Sequence, residues 1–412
     1  MTSSNTERFA ASALGGLRII DFTHFIAGPL ATMIVADAGA DVIKVEKPQG
    51  DDQRHFAPSE ARLDGEGASF LWANRNKRSI TLDLKTAEGR EIAQALVRSA
   101  DVVVENFSSR VMAQYGLDYE TLSGAHPELI YCSVSAFGRT GAYASRLGFD
   151  TIMQAESGFM SLNGHADREG VRAGPAVMDM ATAMMASNAI LIALAARHRT
   201  GRGQHVDVPL FDTAVLMTGF MTAQYLFSHK VPRRNGNVSN DAVPSGVFQT
   251  ADHPIFVTCT STALFRRLFI EVANMPAIGE EPALQKIDGR MAARDRIIDM
   301  LDELFRTDTQ ANWLARLAKG NIPAGAVRSL SEALVSPETK ARGIVTEIAH
   351  PTAGKVPNVA LPLYFSETPV VPPIAAPTLG QHSEEVLADV LGYDALRIRE
   401  LREAGVLGKA RS

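Results

Sequence analysis

The sequence predicts an α/β fold, a mostly parallel sheet flanked by helices with a second, smaller domain beside it. Three observations carry this. Short β-branched runs alternate with helical runs from Leu17 to about Ser135, the pattern of strands joined by helical crossovers. The chain has 412 residues, beyond the roughly 250–300 that one core supports, so about two domains are expected. A polar, turn-rich segment, PRRNGNVSNDAVPSG, separates this alternating part from a differently patterned one.

The elements follow in order. Leu17–Phe22 reads as a strand, and Pro29 then sits where a helix can begin, running to Gly39. Asp41–Val45 is the next strand, dense in β-branched residues, and Ser79–Leu84 another. Ala87–Ser99 reads as a helix, and Asp101–Val104 and Leu129–Val134 as strands. Ligands of such sheets bind at the carboxyl ends of the strands, which here carry His24–Gly28, Glu46–Gly50, Asn106–Phe107 and Ala136–Arg139. A loop-rich segment, Ser145–Gly174, leads into RAGPAVMDMATAMMASNAILIALAARHRTGRGQ, a long apolar helix with one acidic residue, Asp179, near its start. A strand, His205–Val208, and a helix, Phe211–Ser228, follow.

The domain reading is a large domain over 1–229, a linker at 230–244 and a small α+β domain at 245–330. Seven prolines between Pro351 and Pro377 exclude regular helix there, so 331–377 is expected to be an extended return linker. Two short helices then occupy 378–412.

Composition narrows the function. A formal charge of −5 argues against a nucleic-acid binder. No unbroken apolar run reaches the roughly 18 residues of a membrane span, since Ile190–Ala196 is stopped by Arg197, His198 and Arg199. The start, MTSSNTERFAASALGG, lacks a basic segment followed by an apolar core, so no secretory signal is expected. The two cysteines, Cys132 and Cys259, lie far apart in apolar runs and read as buried free thiols of a reducing cytoplasm. No G-x-G-x-x-G follows the first strand, there is no Walker loop, and no His or carboxylate pattern suggests a metal. On spacing alone Asp179 reads either as a helix cap or as a nucleophile.

Seven collinear segments then carry a resemblance: LGGLRIIDFTHFIAGP, GADVIKVEKPQGDD, NRNKRSITLDLKTAEG, ADVVVENF, GFDTIMQAESG, the segment around Asp179, and RHRTGRGQHVDVPLFD. LGQHSEEVL near the end fits as well. Together they resemble the class III CoA-transferase family, whose members include formyl-CoA and crotonobetaine CoA-transferases and, more remotely, α-methylacyl-CoA racemase. The resemblance implies a Rossmann-like large domain built from both chain ends, a smaller domain, and an interlocked ring-shaped homodimer. It implies an enzyme that takes a coenzyme A thioester as substrate, binds no permanent cofactor or metal, and hands CoA to a carboxylic acid.

The family's nucleophilic aspartate falls on Asp179. The resemblance places Arg75 and Arg78, in a basic loop before a strand, at the CoA nucleotide, and His24, Phe25, Ile26 and Ala27 at the thioester end. Asn106, Phe107 and Asp150 match cofactor-contacting positions, although Phe107 reads equally as core and Asp150 equally as a helix cap. Two departures matter. Ile26 stands where formyl-CoA transferase has glutamine, and Phe149 fills the slot of the racemases' acid/base histidine, which disfavours racemisation. The covering glycine-run loop is absent; Ser261 and Thr262 in TCTSTA stand as polar contacts in its place or as plain structural residues. Arg139, Arg146 and Arg172 are the candidate cations for an acceptor carboxylate. A catalytically inactive CoA-binding homologue is the remaining alternative.

Overall fold

A computed structural model of the chain describes residues 12–408 apart from 57 and 109. The first eleven positions of the stretch read against a secretory signal lie outside the described residues.

The chain divides into two compact units, one comprising 1–159, 172–220 and 340–412 and the other 160–171 and 221–339. The first unit holds six strands: β1 (Arg18–Asp21), β2 (Asp41–Glu46), β3 (Lys77–Thr81), β4 (Val102–Glu105), β5 (Ile130–Ser135) and β6 (His205–Pro209). They form one sheet in the order β3-β2-β1-β4-β5-β6, with every neighbouring pair parallel. Such strands are covered on both faces, which is why they read as near-continuous apolar runs. Their two-residue period divides them between two cores. Ile19, Val42, Val102, Val104, Ile130 and Cys132 face one layer with α1 (Ala27–Asp37). Ile20, Ile43, Val103 and Tyr131 face the other with α2 (Ala87–Arg98), joined there by Val386, Leu387, Ile398 and Leu401 from the C-terminal helices. Each fully buried Ile or Val contributes roughly 1.5–3 kcal/mol, so both chain ends are bound into one domain.

After a short helix, α3 (Asp150–Glu156), comes α4 (Val177–Thr200). Its buried positions, Met178, Thr182, Ala186, Ile190 and Ala193, recur every three to four residues. The small ones let it lie close to α1 in the first core. Arg197, His198 and Arg199 suit its negative C-terminal end, and Gly201 ends it in the left-handed region at φ 66°. By length and composition alone α4 could cross a membrane, although Asp179, Ser187 and Asn188 interrupt its apolar run. Met178, Ala183, Ala186, Ile190 and Ala193 are buried in the first core, which accounts for much of the helix's apolar character.

The second unit carries a small antiparallel sheet of β7 (Ser245–Phe248), β8 (Ile255–Thr258) and β9 (Ala324–Ala326), with β8 central. Helices Arg294–Phe305 and Gln310–Lys319 pack their apolar faces onto it through Phe305, Trp313 and Leu317.

Several boundaries differ from expectation. The helix expected over Phe211–Ser228 is two, Leu210–Leu216 and Phe220–Ser228, with Gly219 at φ 63° between them. Residues 160–171 belong to the second unit, which begins again at 221 rather than 245 and runs to 339 rather than 330. The expected return linker is only partly extended coil. Residues 331–339 belong to the second unit, and Val345–His350 pairs with Gly354–Val359 as a hairpin in the first. Pro357 is tolerated because a two-stranded ribbon leaves edges on which an N–H is dispensable.

Candidate active site

The strand order reverses direction between β1 and β4, the place where an open parallel sheet leaves a crevice at its carboxyl edge. The loops after those two strands are tied together there. The His24 N–H donates to the Asn106 side-chain oxygen at 2.9 Å, and the Asn106 amide donates back to the His24 carbonyl at 2.7 Å. Beneath them lies a cluster of buried charges. Lys44 pairs with Asp51 at 3.1 Å and donates to the Thr23 carbonyl at 2.7 Å, while Lys77 pairs with Asp21 at 3.0 Å. Burial opposes the Lys44 charge, but Asp51, Asp21 and Glu46 outweigh it and raise its pKa. Burial wins at Lys77, pulling it down to about 8. Phe25 sits above this cluster at φ 64°, a conformation costing about 1–3 kcal/mol that only an over-determined loop holds.

The result is a cleft of about 310 Å³, lined by His24, Phe25, Ile26 and Ala27 from the first loop and by Asn106 and Phe107 from the second. Arg139, Arg146, Phe149 and Asp179 complete its chemistry-bearing wall. Burial holds His24 below the usual imidazole range. The Phe149 ring meets Phe25 edge-on at 5.8 Å, so the slot of a racemase histidine is filled by an aromatic wall.

Asp179 is the third residue of α4, yet it does not cap it. The Asp150 carboxylate does that from outside, accepting from the N–H groups of Met178 at 2.7 Å and Asp179 at 3.3 Å. Its other oxygen accepts from Gln154 at 2.6 Å. The Asp179 carboxylate has no hydrogen-bonding or ionic partner among the described residues. Burial, and then the charge of Asp150, push its pKa up to about 7. The positive end of the helix dipole does not keep it fully ionised, because two carboxylates share one helix end and only one holds the N–H groups.

Three further assignments change. Asp150, expected at the cofactor, is buried as a helix cap and does not line the cleft. Arg75 is only 3% exposed and is consumed within the fold, by Asp37 at 2.6 Å, Asn358 at 2.9 Å and the Val359 carbonyl at 2.8 Å. Arg78 lies at the amino end of β3, opposite the cleft, bound to Asp41 at 2.7 Å and Glu385 at 3.1 Å. The supposed basic loop is half strand: Lys77 and Arg78 are already in register with Val42 and Ile43. Two other cations, Lys47 and Arg110, lie at the carboxyl edge. Lys47 borders a smaller recess of about 190 Å³ that shares His24 and Phe107 with the cleft. Arg110 borders a recess of about 480 Å³, where Tyr119 stacks on His205 at 5.3 Å. Their place just beyond β2 and β4 was the sequence signal for both.

Among the candidate acceptor cations, Arg139 is committed to Glu105 at 2.6 Å and the Phe107 carbonyl at 2.8 Å. Arg146 pairs with Glu156 and lies 4.6 Å from the centroid of the Phe137 ring. Arg172 is outside the cleft, bonded to its own loop at the Ala173 and Gly174 carbonyls. In the second unit, Ser261 caps a helix through the Leu264 N–H and Thr262 donates to the Gln285 carbonyl, so both serve local structure.

Comparison with known proteins agrees with this geometry. The chain is 37% identical over 382 residues to a succinate–glutarate CoA-transferase of Agrobacterium fabrum, covering 92% of this chain and 95% of that protein. It is 34% identical over 395 residues to the mouse succinyl-CoA:glutarate CoA-transferase, covering 96% and 90%. A crystal structure of a CaiB/BaiF family protein from Brucella suis superposes with a TM-score of 0.82 at 35% identity, over 92% of this chain and all of that one. The sequence model of CoA-transferase family III matches residues 14–383. The chain therefore belongs to CoA-transferase family III and is an enzyme that transfers CoA between an acyl-CoA and a carboxylate.

Proposed function

We propose that Asp179 is the nucleophile and that the donor is succinyl-CoA or a similar short acyl-CoA. The observation that carries this is the division of labour at the start of α4: Asp150 holds the helix N–H groups, leaving the Asp179 carboxylate unpaired against the cleft. In the first step a carboxylate oxygen of Asp179 attacks the thioester carbonyl and the C–S bond breaks. This gives an aspartyl–acyl anhydride and CoA thiolate. The thiolate then attacks the aspartyl carbonyl, releasing the first acid and leaving an aspartyl-CoA thioester. The acceptor carboxylate attacks that thioester to form a second anhydride, and the returning thiolate takes the new acyl group and regenerates Asp179. Carboxylate and thiolate alternate as nucleophile and leaving group, so the net exchange of one acid for another on CoA is nearly isoenergetic and no proton needs to move. A pKa of about 7 leaves roughly half of Asp179 ionised at neutral pH, with a poorly solvated and hence more reactive charge.

The nucleotide end of CoA is assigned to Lys47 and Arg110, whose recesses adjoin the cleft, in place of Arg75 and Arg78. Among the described residues Lys47 is paired with the exposed Asp52, a contact worth at most about 1 kcal/mol and readily exchanged for phosphate. No bound cofactor beyond the CoA thioester is required. An interlocked homodimer is proposed from family membership and from the apolar side chains left open on α4, among them Met184 and Ile192. Cys132 and Cys259, both buried free thiols, suit the cytoplasm.

The test is to incubate the protein with succinyl-CoA and a panel of carboxylic acids, reading new thioesters by mass spectrometry with Asp179→Ala alongside. Transfer surviving in Asp179→Ala would falsify the nucleophile. Solvent deuterium appearing at Cα of a branched acyl-CoA would instead favour a racemase.

A further inference from the structure

We infer that Arg146 is the specificity residue for dicarboxylates, taking the second carboxylate of a substrate whose first carboxylate reacts at Asp179. The inference rests on the transferase reading above. A cleft already holding the Asp179 carboxylate repels a doubly charged acid unless a cation within it is available. Among the described residues two arginines line it, Arg139 and Arg146. Arg139 is unavailable, because its side chain is 15% exposed against 3% for Glu105, and displacing so buried a pair leaves Glu105 stranded without its counter-ion. The Arg146–Glu156 pair is open to solvent, at 45% and 33% exposure, and such pairs hold together by no more than about fivefold.

The surroundings of Arg146 favour exchange of its partner. Its guanidinium rests on the Phe137 face, which fixes its plane and leaves its N–H edge for a carboxylate in that plane. Its backbone is fixed too, the Arg146 N–H donating to the Tyr143 carbonyl at 2.9 Å. Glu156 is the last residue of α3, an end at which the helix dipole disfavours negative charge. It therefore acts as a resident counter-ion that the distal carboxylate of a substrate displaces.

The experiment uses the full-length protein with succinyl-CoA as donor, and glutarate and pentanoate as acceptors differing only in the second carboxylate. In a double-displacement reaction the acceptor kcat/KM reports the second half-reaction, so donor effects cancel in the glutarate-to-pentanoate ratio. Arg146→Met is expected to lower that ratio roughly ten- to hundredfold, mainly through the KM for glutarate, with Arg146→Lys in between. Glu156→Gln is expected to raise it up to about fivefold by removing the competitor. An unchanged ratio in Arg146→Met, or an equal fall in Glu156→Gln, overturns the inference, the latter showing that the pair merely holds the loop. A wild type that transfers CoA to neither acid overturns the inference, with or without the Asp179 reading on which it rests. The mass of a CoA adduct on Asp179, measured separately without acceptor, shows which of the two has failed.

Discussion

Replacing Asp179 with asparagine should abolish transfer and yet make the protein more stable, by an amount that depends on pH. The folded-state pKa of this carboxyl is raised from 3.8 to about 7, first by burial and then by Asp150. Below the unfolded value the group is protonated in both states and costs nothing. Between 3.8 and about 7 the unfolded chain releases its proton while the folded chain keeps it, so stability falls as pH rises, and it levels off above about 7. A difference of about three pH units corresponds to at most about 4 kcal/mol, and solvent screening of this partly exposed group reduces it to roughly 1–3 kcal/mol. Asparagine keeps the shape and hydrogen-bonding capacity without the charge at any pH. Calorimetry should therefore find Asp179→Asn melting only slightly above wild type at pH 5 and about 2–6 °C above it at pH 8. A variant that melts below wild type by the same margin at both pH values would refute the reasoning, because it would make Asp179 a structural cap.

Other perturbations separate positioning from chemistry. Asp150→Asn must turn either its amide toward the α4 N–H groups or its amide toward that of Gln154, which Ala173 holds in place through a 2.8 Å bond. The loss should be about 0.5–2 kcal/mol in melts, with the acid limb of kcat/KM moving below pH 7 as the neighbouring charge disappears. Arg75→Met strands Asp37 in the interior and should cost about 3–5 kcal/mol in denaturant titrations while leaving the KM for the acyl-CoA unchanged. Gly28→Ala places a methyl 2.4 Å from the buried Thr23 side chain, whose hydroxyl donates to Asp21. It should destabilise by about 1–3 kcal/mol and lower kcat by displacing the His24–Ala27 loop, both measurable on the purified variant.

The alternation of runs was enough to read the parallel sheet, because strands buried on both faces must be apolar throughout and helices between them must be amphipathic. It was also enough to put His24–Ala27, Asn106 and Phe107 at one edge of the sheet, since each follows a strand's carboxyl end; Asp179 joined them through the family resemblance alone. Ion pairing was not legible. Arg75 and Arg78 look like a solvated basic loop until Asp37 and Asp41, from distant segments, are brought against them. The same holds for Lys44 and Lys77, charges on apolar strands whose partners, Asp51 in the loop after β2 and Asp21 at the end of β1, are met only in the fold. Domain limits failed for a related reason: prolines exclude helix but not a hairpin, and which unit a loop packs against is decided by contacts that have no local signature.

The Asp150–Asp179 pair shows why the capping and catalytic readings of one stretch could not be separated by sequence. A helix N-terminus offers a few N–H groups and about half a unit of positive charge, enough to satisfy one carboxylate. Were Asp179 to take those groups, it would be a stable, weakly nucleophilic anion. Asp150, delivered from α3, takes them instead, and its charge then opposes ionisation of the neighbour it displaces. The helix is thus capped and its third residue left at high energy by the same side chain. Removing the cap should cost stability and nucleophilicity together, whereas removing the nucleophile should cost activity alone.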